Sequence, residues 1–354
     1  MKCNFKNWIN YLVVSLVFVI FQNSCTNTKN EMVPTAKSNV EKLYPSDVIS
    51  SMSKWKILLG DGTHEDNLEG YRKDDFFYTE NDGKSDWVVY KTPNSGVTSR
   101  TSSNTRTELG EKRRWLPKTG GSLSGTLKVM HVSTTGDARV AASYSTVIGQ
   151  IHSDEGHENE PLKIFYKKFP GHKTGSVYWN YEINTEGDNG KRWDYSTAVW
   201  GHDMSVIGSA PNSYPAEPID GIALGEEFTY TVNVYEGVMY LTFTSPGKPA
   251  KTFTKSLISS EYINDSDIPA QIRSLYAVID RDGTERPNAY EGELQYFKQG
   301  NYNQTNGKTP ETNMVWSSGA EIYGGDLVKQ YANGSYAEVW YKESNVGPGI
   351  APKN

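Results

Sequence analysis

Apolar and polar residues alternate with a period of two through much of the chain. In residues 228–234, Phe228, Tyr230, Val232 and Val234 fall on one side and Thr229, Thr231 and Asn233 on the other. That is the spacing of a strand with one buried face. Glu236-Gly237 separates this run from a second one at 238–244, and the pair predicts a hairpin. Residues 125–132 alternate too, with Leu127 and Val129 together, and 138–152, 175–184 and 290–302 are further long strand candidates. One short helix is predicted over 47–52, with Ser46 as its N-cap. Residues 94–104, 185–223 and 304–333 read as loops, the last two long enough to suggest function. No fixed-period repeat and no long helical pattern stands out. Many strands in one chain predict an all-β sandwich or jelly roll.

Composition agrees with that reading. Tyr (23), Trp (9) and Gly (32) are abundant and charged residues make up only 22%, which favours strands and turns over helices. A mean hydropathy of −0.63 excludes a polytopic membrane protein. The 354 residues suit one large β domain or two average ones, and a net charge of −6 argues against a general nucleic-acid binder.

Both cysteines, Cys3 and Cys25, lie in the first 25 residues, so no disulfide framework or thiol nucleophile is available elsewhere. Lys2 and Lys6 precede an apolar run at 11–21, which is too short to span a bilayer but suits an export signal. Gln22-Asn23-Ser24-Cys25 resembles a lipobox, although Gln22 departs from its usual aliphatic residue. The expectation is therefore a lipoprotein signal at 1–24, lipidation of Cys25, a polar tether at 25–43 and one domain at 44–354. An ordinary signal peptide, giving a secreted or periplasmic protein, is the alternative. Cleavage removes two lysines and no acids, leaving a net charge of −8.

Three strand segments carry polar residues on one side. Arg106 and Glu108 are two apart, as are Gln150 and His152 and also Tyr296 and Lys298; Tyr302 joins the last pair if Gly300 does not bulge the strand. Val147, Gly149 and Ile151 are expected opposite Gln150, and Phe297 opposite Lys298. A sheet with one face on the core and the other a polar groove fits this pattern.

At these segments the chain resembles a known family. Arg106-Thr107-Glu108-Leu109, Gln150-Ile151-His152 and the run Tyr296-Phe297-Lys298-Gln299-Gly300-Asn301-Tyr302-Asn303-Gln304 are similar, in that order, to the three signature blocks of the polysaccharide lyase family 7 alginate lyases. Residues 87–93 and 175–181 resemble family segments as well, and the similarity runs from about Tyr44 to at least Gln304. Two positions depart from the pattern. Gly110 stands where the family often has Arg, so that one carboxylate contact is missing or is supplied by Arg113 or Arg114; Gln299 replaces the commoner Ala.

The resemblance implies a jelly roll of two antiparallel sheets with a concave catalytic groove. It implies Arg106, Gln150, His152 and Tyr302 as catalytic residues, with Glu108, Lys298, Tyr296 and Gln304 as substrate contacts. The substrate would be alginate, a polymer of mannuronate and its C5 epimer guluronate, and no metal or organic cofactor is needed. The chain is expected to act as a monomer and to meet a membrane only through its lipid.

The chemistry suits those residues. Removing a proton α to a carboxylate requires that the carboxylate be neutralised and that a base and an acid lie near C5 and O4. Arg106 can bind the carboxylate in bidentate fashion and Gln150 can donate an N–H to it. A free tyrosine titrates near ~10, so Tyr302 needs a cation beside it, Lys298 or Arg106. Tyr302 could serve as both base and acid on mannuronate, whereas His152 is the expected base on guluronate. Glu108 would orient Arg106 or a sugar hydroxyl. The Ile of Gln-Ile-His is associated in the family with acceptance of guluronate, and the long loops lean towards exolytic action over an open endolytic cleft. The metal-type residues at 152–157 match no zinc spacing and read as a solvated loop. A glycoside hydrolase and a non-catalytic carbohydrate-binding lipoprotein are the competing classes. The hydrolase would need two carboxylates at catalytic separation, and no laminarinase-type motif is found.

Overall fold

The computed structural model describes residues 43–98, 102–154, 160–184, 192–258, 278–279, 285–286, 290–311 and 316–352. The predicted export signal and Cys25 lie outside the described residues. A one-turn helix α1 (Pro45–Val48) and a 3-10 turn (Met52–Lys54) come first. There follow β1 (Trp55–Leu58), β2 (His64–Glu65), β3 (Phe77–Asn81), β4 (Asp86–Pro93), β5 (Arg106–Glu111) and β6 (Gly121–His131). Next are β7 (Ser145–Ser153), β8 (Leu162–Lys167), β9 (Thr174–Asn184), β10 (Arg192–Trp200) and β11 (Ile222–Ala223). The remainder holds β12 (Glu227–Tyr235), β13 (Val238–Thr244), β14 (Lys251–Ser256), β15 (Val278–Ile279), β16 (Glu285–Arg286) and β17 (Gln295–Asn303). Helix α2 (Leu327–Asn333) and β18 (Tyr336–Pro348) close the chain.

Two antiparallel sheets account for almost all of these strands. One has nine strands in the order β10-β9-β8-β7-β17-β5-β1-β2, with β11 paired to β9. The other has seven, in the order β14-β13-β12-β6-β18-β4-β3. Their inner faces meet across a core that includes Leu109, Ile148, Ile151 and Phe297 from the first sheet and Leu127, Val129, Tyr230 and Tyr341 from the second. Polar bonds cross the same interface: Tyr230 Oη donates to the Ile148 carbonyl at 3.0 Å, and Gln299 Nε2 donates to Tyr230 Oη at 2.6 Å. The architecture is the predicted jelly-roll sandwich.

The hairpin at 236–237 forms as the sequence predicts. Tyr235 pairs with Val238, and Glu236 (φ +49°) and Gly237 (φ +80°) both take the left-handed conformation of a type I′ turn.

Elsewhere the elements differ from expectation. The first helix starts at Pro45, so that Tyr44, and not Ser46, is the N-cap; the fixed φ of proline suits the first helical position. Residues 138–144 are a loop, and β7 begins only after Tyr144, whose φ is +62°. The segment 185–223, read as a loop, contains β10 at the edge of the nine-stranded sheet, and Tyr195 near its start is exposed. Val199 and Trp200 at its end are buried, while 195–198 are exposed or half-buried, so no period of two runs along it. The segment 304–333 contains α2, which Asp326 caps by accepting from Lys329 N at 3.1 Å and Gly334 ends in the left-handed region. Only Gln330 of α2 is buried, so the helix shows no apolar stripe in the sequence.

Candidate active site

The three polar segments lie on neighbouring central strands β5, β17 and β7, and their polar side chains point away from the core. Arg106, Glu108 and Gly110 of β5 pair with Tyr302, Gly300 and Lys298 of β17. Lys298 in turn pairs with Gln150 of β7, and Tyr296 with His152. Paired residues share a face, so Arg106, Glu108, Gln150, His152, Tyr296, Lys298 and Tyr302 come together on the outer face.

Two irregularities set this arrangement. Between Gln299 and Tyr302, β17 has one residue more than β7. Gly300 takes φ +138°, and a Cβ there would stand 2.7 Å from the Thr107 carbonyl oxygen, so only glycine fits. Asn301 anchors the bulge inwards: its Nδ2 donates to the carbonyls of Tyr90 (2.9 Å) and Ala337 (2.8 Å), and its Oδ1 accepts from Thr146 Oγ1 (2.6 Å). In β7 the register against β8 shifts between Val147 and Gly149. The shift turns Val147 outwards onto Phe165, Tyr178, Met204 and Tyr302, a correction to its expected place with Gly149 and Ile151 on the inner face.

Arg106 is the cation beside the tyrosine. Its guanidinium carbon lies 3.8 Å from the Tyr302 ring centre, and Nη1 is 3.3 Å from Glu108 Oε2. Lys298 pairs instead with Gln150 and Gly110, so of the two candidates Arg106 is the one stacked on Tyr302. Glu108 also accepts from Gln150 Nε2 at 2.6 Å, so it holds Arg106 and Gln150 together. Arg106 Nε and Gln150 Oε1 remain buried without a partner, as expected of a site awaiting a polar ligand. Tyr302 Oη lies 2.9 Å from Ser102 Oγ. Gln304 is buried, and its Nε2 donates to the Tyr302 carbonyl at 3.2 Å.

His152 is held neutral. Burial, and next the Lys298 cation, push its imidazole down to about 3. Its Nδ1 lies 2.6 Å from the Ser153 carbonyl, which assigns the hydrogen to Nδ1 and leaves the Nε2 lone pair free. Glu160 Oε1 is 3.6 Å from that Nε2, beyond hydrogen-bond reach. Lys298 is weakened in turn: burial, and then Arg106, bring its ammonium down to about 8. Tyr296 lies beneath the guanidinium of Arg114, 3.9 Å from its ring centre, and burial raises its hydroxyl above the usual tyrosine range.

A cleft of about 170 Å³ opens at this face towards β1 and β2, where Lys56 and His64 join Arg106, Glu108, Tyr296 and Lys298 in its lining. Beyond β7 the face is covered. Asn180 Nδ2 donates to Met204 Sδ at 3.0 Å, and Met204 N to Ser196 Oγ at 3.0 Å. Trp316 packs on the same Val147, Phe165, Tyr178 and Met204 cluster as Tyr302. Lys163 lies there between Glu160 (3.1 Å) and Glu182. Sequence reasoning missed Ser102, Met204 and Trp316, which reach the site from loops whose course no local pattern reveals. Lys163 is two residues from Phe165 on β8, so period-two counting could have found it. Residues 155–157 lie outside the described residues, and no set of three or more His, Cys, Asp or Glu gathers to hold a metal among the described residues.

Comparison with known proteins points to one family. Residues 50–347 match the alginate lyase family model. An alginate lyase of Klebsiella pneumoniae is 29% identical over 276 residues, covering 68% of this chain and 75% of the relative. The crystal structure of an exolytic family 7 alginate lyase, AlyA5 of Zobellia galactanivorans, is 70% identical with a TM-score of 0.81, covering 88% of this chain and 99% of that one. A crystal structure of an alginate lyase from Klebsiella pneumoniae shares the fold at 22% identity and a TM-score of 0.61, over 87% and 99% of the two chains. With residues 50–347 matched and the fold shared, this chain belongs to the alginate lyases of polysaccharide lyase family 7.

Proposed function

We propose that this lyase acts exolytically and that Tyr302 and His152 carry the protons of its β-elimination. The observation that carries the exolytic reading is the covering of the outer face by Met204 and Trp316 directly beside Tyr302. A chain seated at Tyr302 runs freely only towards β1 and β2. The 70% identical AlyA5, which is exolytic, supports the same reading.

In this reading Arg106 binds the uronate carboxylate, its unpartnered Nε being one donor, and the C5 proton becomes acidic as that charge is neutralised. The base takes the C5 proton, the C5–H electrons form the C4–C5 double bond, and the C4–O4 bond breaks. The leaving O4 receives its proton from Tyr302. On mannuronate C5–H and O4 share a side, so Tyr302 serves as base and acid. On guluronate they are opposed, and the free Nε2 of neutral His152 takes the proton. Ile151 is buried on the inner face, so its influence on guluronate acceptance runs through the placement of Gln150 and His152. Tyr302→Phe removes the proton carrier and leaves the packing. The expected result is complete loss of the rise in ultraviolet absorbance from unsaturated product, with an unchanged thermal midpoint. A fully active, folded variant would falsify the role of Tyr302.

We also infer an exported lipoprotein, from the apolar run at 11–21 and from Cys25. Mass spectrometry of the mature N-terminus should show a lipid-modified Cys25; an unmodified terminus elsewhere would leave a secreted or periplasmic enzyme.

A further inference from the structure

Gly110 leaves a gap in the row of polar side chains that crosses the outer face from Lys298 through Gln150 and Lys163 to Asn180. The two arginines expected to compensate are committed elsewhere. Arg113 bonds Glu111 at 3.0 Å and the Gly347 carbonyl at 2.7 Å. Arg114 bonds the Glu111 carbonyl at 2.6 Å and Asp154 at 2.7 Å. A different residue fills the gap. Lys56 of β1 pairs directly with Gly110, and its Cε lies 3.7 Å from where a Cβ on residue 110 would be. The ammonium of Lys56 therefore enters the cleft from the neighbouring strand.

Around it stand two more nitrogen bases, Lys298 and His64. The side chains of Lys56, Lys298 and His64 have no hydrogen-bond or ion-pair partner among the described residues. The carboxylate of the cleft, Glu108, is already engaged by Arg106 and Gln150. Two unpaired lysines gathered in an open cleft of an acidic protein need an anion to complete them. A polyuronate carries one carboxylate on every sugar, so a chain anchored at Arg106 presents the next carboxylate to its neighbours.

We propose that Lys56, with Lys298 and His64, forms a second carboxylate-binding position, which holds the uronate adjacent to the reacting one on the β1–β2 side. The proposal rests on Arg106 as the anchor of the reacting uronate. It makes Lys56 a determinant of chain-length preference. Long substrates gain an ion pair that a disaccharide does not reach, because its two sugars fill only the Arg106 position and the position of the departing sugar across the scissile bond.

The test is steady-state kinetics of Lys56→Ala on alginate oligomers from the disaccharide upward. KM for long oligomers should rise about tenfold, equivalent to ~1.4 kcal/mol of binding. The disaccharide KM should stay within twofold of wild type, and the salt dependence of KM should flatten. Adding Gly110→Arg to Lys56→Ala supplies a cation at the same place from the other strand. A Cβ at 110 meets only ordinary contacts, so this double variant should recover most of the lost affinity. A wild-type KM for long oligomers in Lys56→Ala overturns the proposal, and so does failure of the double variant to restore a KM that was lost. A wild-type enzyme that makes no unsaturated product would instead defeat the lyase reading, and a wild-type ladder of intermediate products only the exolytic one.

Discussion

Lys298 enters the cleft with an ammonium weakened by burial and by Arg106, to about 8. Below that pH it is charged and attracts a carboxylate; above it the attraction is lost. The kcat/KM of the free enzyme should therefore fall as pH rises through about 8, because that ratio reports free-enzyme ionisations. Lys298→Arg keeps the charge and should move this limb to higher pH, and a limb that stays in place would assign it to another group. The same cation helps hold His152 neutral, so one lysine serves both substrate attraction and the free lone pair. At this scale the sequence was informative wherever period two applied. Arg106 with Glu108, and Gln150 with His152, were placed on shared faces correctly by counting. Val147 was not, because a bulge reverses the parity of everything beyond it. Ser102 could not be found, since its approach to Tyr302 depends on a loop that closes across about two hundred residues of sequence.

Unbroken pairing of β17 with β5 from Lys298 to Tyr302 sets Tyr302 over Arg106, while β17 bulges against β7 in the same stretch, and Asn301 is what keeps that bulge closed. Three inward hydrogen bonds tie Asn301 to β4, β18 and β7 at once. Asn301→Ala leaves the buried Tyr90 and Ala337 carbonyls and the Thr146 hydroxyl without those partners, and should cost about 3 kcal/mol of stability in urea denaturation. A loss below about 1 kcal/mol would show that the bulge does not depend on this side chain. Part of the third sequence block is thus structural: Gly300 and Asn301 shape the strand, while Tyr302 faces the cleft. From a single sequence the two kinds of residue look alike. The elements that escaped sequence reasoning, β10 and α2, share a cause. In β10 the buried residues Val199 and Trp200 come together at its end, and in α2 only Gln330 is buried, so neither writes a clear period and their surroundings decide their form.

The domain formed by the described residues is a sandwich whose inner faces spend their apolar residues on each other, which leaves one outer face of the nine-stranded sheet for chemistry. That division was legible from the alternation of strands such as β12 and β13. The extent of the groove was not, because Met204 and Trp316 come from segments with no regular pattern, and only the folded chain shows which part of the face they cover. With that part closed and the β1–β2 side open and cationic, the account's central claim is exolytic β-elimination of alginate. A time course of product sizes from polymannuronate, polyguluronate and mixed blocks tests it most directly. The account predicts early unsaturated monomer while long chains persist; an early ladder of intermediate unsaturated oligomers would contradict it.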